Sequence, residues 1–299
     1  MKIGVIGLGN MGLPIAQNML QAGHQLVVFN RTANKAKPLV EKGARLAASP
    51  VESARETNLV FTILSDDKST EEIVFGQNGI LEGLAEGGIH VAVSTISVEC
   101  AQKLAKAHSE RGQQFVSATV LGRPDAAAAA ALRLIVAGPQ KARKKIWPVL
   151  EAIGQNIFVV GDEGYLSNVA KLGNNFLIVA MLEALSEVLI LVEKYGIEQK
   201  QFLEIVNTLF ASPIYQNYGN IIAERNFEPA GFKMNLGLKD VELMLSAADQ
   251  VSALLPLADL AKNHYSEGIA RGWANLDWAA LIKCIEAVSL QEIDNAAKS

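Results

Sequence analysis

The chain has 299 residues, of which 50% are hydrophobic and 19% are charged, and its net charge is -4 at pH 7. This composition predicts a folded globular protein with room for two domains, and it excludes an intrinsically disordered chain. The weakly acidic balance argues against a surface dedicated to nucleic acid or to an anionic membrane. The two cysteines, Cys100 and Cys284, have no metal-binding or redox spacing, so we expect free thiols in a cytoplasmic protein.

The first half of the chain alternates strand-like and helix-like segments. The apolar, β-rich runs are KIGVI, HQLVVFN, NLVFTIL, IHVAVST, QQFVSAT, LRLIVAG and NIFVVG. Helical patterns between them cover residues 11–21, 33–42, 98–110 and 141–153. This alternation predicts an α/β domain whose mostly parallel sheet is covered by helices on both faces.

After Gly161 the strand pattern stops and helical patterns follow. A long one runs from Tyr165 to Tyr195, and the later ones cover residues 199–210, 214–224, 236–250, 257–271 and 278–291. The segment GDEG at residues 161–164 is rich in turn-forming residues. We therefore predict an N-terminal domain of residues 1–162 and an all-helical domain of residues 163–299.

The most apolar segment, from Phe176 to Val192, contains two carboxylates, Glu183 and Glu187. They are four residues apart and so share one face of a helix. Two charges in this segment argue against a membrane span. We expect a helix that is buried against other helices or against a second subunit.

The first strand-like run leads directly into a glycine motif. Its residues are Gly7, Leu8, Gly9, Asn10, Met11 and Gly12. A G-x-G-x-x-G sequence that follows a strand and opens a helix is typical of dinucleotide binding. Gly7 permits a tight turn, Gly9 lets the backbone approach a pyrophosphate, and Gly12 allows close helix packing. The motif predicts a Rossmann domain, and all six residues are candidate cofactor contacts.

The second strand-like run ends in Asn30, Arg31 and Thr32, which are further candidate cofactor contacts. An acidic residue at this position would accept hydrogen bonds from the ribose 2′-hydroxyl of NAD. Here Arg31 and Thr32 can instead bind a 2′-phosphate, although Arg31 could also only stack on the adenine. We therefore predict NADP as the cofactor, with NADPH preferred over NADH.

Two later strand ends are expected at the same crevice, because ligands of open α/β sheets bind outside the carboxyl ends of the strands. Leu64 and Ser65 follow one apolar run and Thr95 follows the next. All three are candidate cofactor contacts. Hydroxyl groups at such positions are also common helix caps, and both interpretations stay open.

A polar stripe in GYLSNVAKLGNNFLIVA supplies the candidate proton donor. Lys171, Asn174 and Asn175 have helical spacing and lie near one face. Burial lowers the pKa of a lysine toward the range that is useful for acid–base catalysis, and an asparagine can orient the lysine or a substrate oxygen. The spacing alone also fits a structural stripe near a helix start. The four histidines, which we expect to be structural or solvated, are His24, His90, His108 and His264.

With the later segment FKMNLGLKDVELML, these motifs resemble the β-hydroxyacid dehydrogenase family over nearly the whole chain. The resemblance implies a Rossmann domain joined by a long interdomain helix to an all-helical domain, which forms a homodimer or homotetramer. It implies that Lys171 is the general acid and base, supported by Asn175. It further implies that Asn174 and Phe232 lie near the substrate and that Lys239 approaches the nicotinamide. It implies no metal.

The substrate loop of that family corresponds to Leu121, Gly122 and Arg123, which precede six alanines. The family usually carries a serine where this chain has Leu121. Loss of its hydroxyl should weaken binding of a small hydroxy acid by about 1–3 kcal/mol, so the pocket should be more apolar. Arg123 could supply a new carboxylate contact or point into solvent. We expect Asp125 to cap a helix formed by the alanines.

The predicted function is therefore NADPH-dependent hydride transfer between the nicotinamide and a small carbonyl compound or 3-hydroxy acid. Semialdehyde reduction and 3-hydroxyisobutyrate-type oxidation are the family's reactions, with Lys171 as the acid or base. Leu121 favours an alternative, the reduction of more apolar carbonyls or of imines. Imine reductases share the architecture but usually carry Asp or Tyr in place of the lysine. A non-catalytic NADPH-binding scaffold is the remote alternative, and Lys171 argues against it.

Overall fold

The structure, a computed structural model, describes residues 1–287. The chain divides into two compact units, one of Met1–Lys171 and one that begins at Leu172. The strands of the first unit are β1 (Lys2–Ile6), β2 (Gln25–Phe29), β3 (Arg45–Leu46), β4 (Leu59–Thr62), β5 (Ile89–Ala92), β6 (Gln114–Leu121), β7 (Leu132–Ala137) and β8 (Gly154–Gly161). They form one sheet in the order β3-β2-β1-β4-β5-β6-β7-β8.

This sheet is mostly parallel, as predicted from the alternating pattern. Every neighbouring pair is parallel except β6 and β7, which are antiparallel. Residues 122–131 join these two strands, and a parallel crossover needs a connection of about a dozen residues or more. The strand order reverses direction next to β1, which is the place where open sheets of this kind bind their ligands.

The helices of the first unit cover both faces of the sheet. They are α1 (Gly12–Gln21), α2 (Lys37–Val40), α3 (Pro50–Arg55), α4 (Asp67–Phe75), α5 (Ile80–Gly83), α6 (Val98–Glu110), α7 (Pro124–Ala128) and α8 (Gln140–Ile153). All residues of β4 and β5 are buried, which explains why their sequences are almost continuously apolar.

The helix α9 (Tyr165–Lys194) begins in the first unit and is followed by the helices of the second. These are α10 (Gln199–Leu209), α11 (Pro213–Ala223), α12 (Met234–Gln250) and α13 (Pro256–Ala270). A short 3₁₀ turn, Trp278–Leu281, begins where a helix over residues 278–291 was predicted, and the end of that segment lies outside the described residues. The helical second region is confirmed over the described residues.

By length and composition alone, α9 could cross a membrane, with a mean hydropathy of 2.1 over its most apolar window. Half of that window is buried inside the protein, and core helices of soluble proteins pass the same test. Glu183 on this helix is only 2% exposed. His264 Nδ1 lies 3.0 Å from both of its carboxylate oxygens, and this contact raises the pKa of His264. The helix therefore carries a buried carboxylate that is paired with a histidine side chain.

Candidate functional site

The glycine motif forms a tight turn between β1 and α1. Gly7 has a φ of +97°, and a Cβ there would overlap the carbonyl oxygen of Ile63. A Cβ on Gly12 would overlap the carbonyl oxygen of Gly7. By contrast, no described atom lies within 4 Å of a Cβ built on Gly9. The fold itself requires the first and third glycines, whereas the open space over Gly9 fits a ligand that approaches the backbone.

A cleft of about 530 Å³ opens beside this turn. Its lining residues are Leu8, Gly9, Asn10, Leu13, Pro14, Asn34, Lys35, Pro38 and Pro124. The first three are predicted cofactor contacts, and the others are not evident from the motif. Met11 instead packs on the hydrophobic core as the N-cap residue of α1. The cleft has the position and the glycine-lined wall that a dinucleotide needs.

The three predicted cofactor contacts after β2 are Asn30, Arg31 and Thr32, and they do not share one environment. Asn30 Oδ1 accepts a hydrogen bond from the Leu8 amide at 2.9 Å, and its Nδ2 donates to the Thr32 carbonyl at 2.9 Å. Asn30 therefore ties the glycine turn to the loop after β2. Arg31 and Thr32 are exposed. A 3₁₀ turn, Ala33–Ala36, brings Lys35 to the wall of the cleft.

The strand ends of β4 and β5 are joined by a hydrogen bond of 2.7 Å from the Leu64 amide to Ser94 Oγ. The helices that follow are capped by Asp66 and Ser97, which accept from Ser69 N and Cys100 N. Ser65 and Thr95 are therefore not the caps of α4 and α6. They stay predicted cofactor contacts at the carboxyl edge of the sheet. Ser94 was missed because its role depends on a strand 30 residues away.

The first turn of α9 is anchored to the sheet through buried polar side chains. Ser167 Oγ donates to the Ile135 carbonyl at 2.7 Å, and Asn168 Nδ2 donates to Ser117 Oγ at 2.9 Å. Lys171 follows on the same helix and is half-buried. The predicted helical spacing of Lys171 and Asn175 is therefore found on one continuous helix.

In the second unit, Asn175 is buried against α12. Its Nδ2 donates to Asp240 Oδ2 at 2.6 Å, and Lys239 Nζ lies 3.1 Å from Asp240 Oδ1. Asp240 thus connects two predicted site residues, Asn175 and Lys239. Asp240 was not among the predicted site residues, although it follows Lys239 directly in the sequence. Because an ionised carboxylate only accepts hydrogen bonds, it turns the Nδ2 of Asn175 toward itself and leaves Oδ1 as an acceptor on the other side of the amide.

Asn174 and Phe232 are both half-buried. The ring of Phe232 packs edge to face on Trp278, with 4.6 Å between the ring centroids. Its amide donates to Asp277 Oδ2 at 3.1 Å. This aromatic pair belongs to the hydrophobic core of the second unit, so the described contacts of Phe232 are with that core.

The predicted substrate loop connects β6 to α7. Leu121 ends β6 and is half-buried, and Gly122 has a φ of +142°. The N-cap residue of α7 is Arg123, without a capping side chain. The expectation that Asp125 caps this helix is wrong, because Asp125 lies inside the first turn. The Nη2 atom of Arg123 is buried rather than turned into solvent.

Two of the four histidines form a buried hydrogen-bonded chain. Gln113 Nε2 donates to backbone carbonyls, so its Oε1 must accept from His108 Nδ1 at 2.7 Å. His108 Nε2 then accepts from His90 Nδ1 at 2.9 Å, and His90 Nε2 accepts from the Thr62 hydroxyl at 2.9 Å. Both rings are neutral in this arrangement. Burial lowers the pKa of His108 to about 4 and that of His90 well below its usual value. These histidines are structural, as expected.

Within residues 1–287, no group of three or more His, Cys, Asp or Glu side chains could hold a metal ion. Both cysteines are free and buried, and burial raises the pKa of each thiol to about 12. Neither thiol is a reactive nucleophile at neutral pH.

The fold and the glycine-lined cleft define a dinucleotide-binding protein of the Rossmann class. Residues 2–161 match the family model of the NAD binding domain of 6-phosphogluconate dehydrogenase. Residues 167–285 match the model described as the NAD-binding domain of NADP-dependent 3-hydroxyisobutyrate dehydrogenase. The chain belongs to the β-hydroxyacid dehydrogenase family, and it is an NAD(P)-dependent dehydrogenase or reductase.

Individual relatives cover almost the whole chain. An uncharacterized oxidoreductase of Bacillus subtilis, YfjR, is 60% identical over 96% of this chain and 100% of its own length. The 3-hydroxyisobutyrate dehydrogenase of Pseudomonas aeruginosa is 34% identical over 88% of this chain and 91% of its own. The solved structure of 3-hydroxyisobutyrate dehydrogenase from Mycobacterium tuberculosis, with L-serine, has a TM-score of 0.85 at 26% identity, covering 95% and 98% of the two chains.

Proposed function

We propose that this protein is an NADPH-dependent oxidoreductase that reduces small carbonyl compounds, with Lys171 as the general acid. The observation that carries the proposal is the character of the cleft beside the glycine turn. Its described lining contains Lys35 and no carboxylate, and Arg31 is exposed on the adjoining loop. A site of this character favours a 2′-phosphate over a free 2′-hydroxyl.

A bound nicotinamide supplies a hydride to the carbonyl carbon of the substrate. The protein must then deliver a proton to the carbonyl oxygen, and the Nζ of Lys171 is the group proposed to do so. In the reverse direction the same atom accepts the proton of the substrate hydroxyl. Asn175 lies one helical turn later, and its Nδ2 is held by Asp240, so its Oδ1 stays available as the proposed acceptor for a substrate group.

The loop after β6 is the proposed determinant of the substrate class. The Pseudomonas relative is named a 3-hydroxyisobutyrate dehydrogenase, so small 3-hydroxy acids and the corresponding semialdehydes are the first candidate substrates. Leu121 offers a half-buried apolar side chain at this loop. That observation favours a second candidate function, the reduction of more apolar aldehydes, ketones or imines. Arg123 at the start of α7 is the candidate contact for an acidic substrate.

We further propose that the protein works in the cytoplasm as a homodimer or homotetramer, with a small-molecule substrate and with no nucleic-acid or membrane partner. Leu177 and Leu191 on α9 are 68% and 54% exposed in the single chain. Large apolar side chains that remain exposed on a long helix support burial against a second copy. Light scattering coupled to size-exclusion chromatography would measure the assembly.

The variant Lys171→Ala tests the mechanism. It should abolish turnover while NADPH binding, measured by the fluorescence of the bound cofactor, persists. Lys194→Ala is the matched control, because Lys194 is an exposed lysine at the end of the same helix. Turnover by Lys171→Ala at the wild-type rate would contradict the mechanism.

The cofactor and the substrate need separate experiments. Arg31→Ala should raise the KM for NADPH about tenfold, the value of one charge-assisted contact, and leave the KM for NADH unchanged. Better turnover with NADH than with NADPH in the wild type would contradict the cofactor proposal. A screen of NADPH oxidation with aldehyde acids, neutral aldehydes, ketones and cyclic imines would assign the substrate class. Activity confined to small aldehyde acids would remove the second candidate function.

A further inference from the structure

We infer that Asn168 is a positioning residue for this reaction, because it fixes Lys171 against the strand end that carries Thr95. The inference rests on the proposed role of Lys171. It concerns residues of the first unit alone, and it assigns a role to a side chain that precedes the polar stripe of α9.

Asn168 is 0% exposed and uses both ends of its amide. Its Oδ1 accepts from the Ile96 amide at 3.3 Å, and its Nδ2 donates to Ser117 Oγ at 2.9 Å. The amide cannot be reversed, because a backbone N–H only donates. Ile96 follows Thr95 directly. Asn168 therefore joins α9 both to the loop after β5 and to the strand β6.

A second buried side chain in the same helical turn holds α9 to a different part of the sheet. Ser167 Oγ accepts from the Thr119 amide at 3.1 Å and donates to the Ile135 carbonyl at 2.7 Å. These partners lie in β6 and β7. Of the two side chains, Asn168 is the one that reaches the predicted cofactor edge at the end of β5.

The position of Lys171 follows from these two anchors by helical geometry. Lys171 is four residues after Ser167 and three after Asn168, so its direction on the helix lies between theirs. It therefore belongs to the face that docks on the sheet, about one turn or 5.4 Å further along the axis. A rotation or slide of the first turn of α9 would move Lys171 by a similar distance relative to Thr95.

The buried amide of Asn168 fixes the orientation of α9 on the sheet, which an apolar side chain could not do. Apolar contacts are non-directional, so they would hold α9 on the sheet but tolerate sliding. Two hydrogen bonds to different elements fix both the rotation and the height of the helix. Proton transfer needs the donor within about 2.6–3.2 Å of the substrate oxygen, so this precision affects the rate directly.

Two substitutions separate positioning from a general role in folding. Asn168→Leu keeps the approximate volume and removes both hydrogen bonds, and it should lower kcat about 10- to 100-fold, as a misplacement near 1 Å does. Asn168→Asp can keep both contacts, because the Ser117 hydroxyl can turn and donate to the carboxylate. It should keep most of the wild-type kcat at its own pH optimum. This rescue holds for either protonation state of the buried carboxyl group, since its neutral form can itself donate to Ser117 Oγ.

The matched control is Ser53→Ala. Ser53 is also 0% exposed in the first unit, and its hydroxyl donates to the Val27 carbonyl at 3.0 Å. This variant loses a buried hydrogen bond of the same kind, so its melting temperature should fall while its kcat and its pH profile stay at wild-type values.

The inference is overturned if Asn168→Leu keeps kcat within about twofold of the wild type, since misplacement of the donor must cost more. It is also overturned if Asn168→Asp loses as much kcat as Asn168→Leu, since the carboxyl group can keep both hydrogen bonds. Lys171→Ala is measured in parallel. An active Lys171→Ala would refute the proposed function itself, whereas an inactive Lys171→Ala with a fully active Asn168→Leu would refute only the role of Asn168.

Discussion

Acid is expected to destabilise the first unit through the buried pair His90 and His108. Both rings are neutral in the folded chain, and both are fully buried. Burial lowers the pKa of both rings, and the charge that His108 would carry lowers the pKa of His90 further. An unfolded chain binds these protons more readily than the folded chain. Their contribution to stability is therefore complete above the ordinary histidine pKa of 6.5 and is lost as the pH falls below it.

The magnitude can be worked out for His108. Its pKa in the folded protein is about 4, against an ordinary value of 6.5. Since one pKa unit corresponds to about 1.4 kcal/mol, protonation of this ring should remove about 3 kcal/mol from the free energy of unfolding. The effect of His90 has the same sign. His264 acts oppositely, because Glu183 raises its pKa, so its contribution is present below pH 6.5 and is lost as the pH rises through the raised value.

The assay is urea unfolding, followed by circular dichroism between about pH 7.5 and pH 4.5, where histidine titrates. The wild type is compared with His108→Gln, whose side-chain carbonyl can still accept from His90 Nδ1 but does not titrate. The variant should be less stable near neutral pH, and below pH 6.5 its slope should be shallower by about 1.4 kcal/mol per pH unit. Parallel slopes for the two proteins would refute the assignment of a neutral, depressed His108.

Three further outcomes are expected. Gly12→Ala should disrupt the turn and lower both the NADPH affinity and the melting temperature, whereas Gly9→Ala should fold normally and lower only the affinity. Fluorescence titration and thermal melts would measure the two quantities, and an equal fall in melting temperature for both variants would contradict this. Leu121→Ser should raise kcat/KM for aldehyde acids relative to neutral aldehydes about tenfold, in line with 1–3 kcal/mol for a buried polar contact, and no change in that ratio would place Leu121 outside the pocket. Asp240→Ala leaves the buried Nδ2 of Asn175 unpaired and should lower the free energy of unfolding by about 1–3 kcal/mol, so an unchanged urea midpoint would argue against that hydrogen bond.

The sequence predicts the elements whose apolar patterns are long. The helix α6 was predicted over residues 98–110 and is found as Val98–Glu110, because Ser97 caps it and its buried residues recur with helical spacing. The strand β3 was missed because it has two exposed residues, Arg45 and Leu46. The helix α4 was missed because polar residues dominate its sequence, DKSTEEIVF, and the cap Asp66 is its main signal.

In the candidate site, too, the sequence predicts local patterns but not contacts between distant residues. Local patterns reveal the glycine turn and the spacing of Lys171 and Asn175, because backbone geometry alone connects those residues. The hydrogen-bond partners of Asn168 and Asn175 include Ile96 and Asp240, which lie 72 and 65 positions away in the sequence. Such pairs depend on how elements pack, which the periodicity of one segment does not specify. The sequence signal for Asn168 is its spacing of three residues from Lys171, and it becomes informative only when the docked face is known.

The alanine-rich helix α7 has a consequence for how this enzyme could acquire new substrates. Asn18 on the helix of the glycine motif donates to the Ala127 carbonyl at 2.6 Å, and Pro124 forms part of the cleft wall. The segment that is proposed to select the substrate is thus fastened to the helix that is proposed to bind the cofactor phosphates. Grafting a loop from a relative would exchange part of the cofactor wall as well, and laboratory evolution of specificity should yield compensating changes near Asn18 and Pro14.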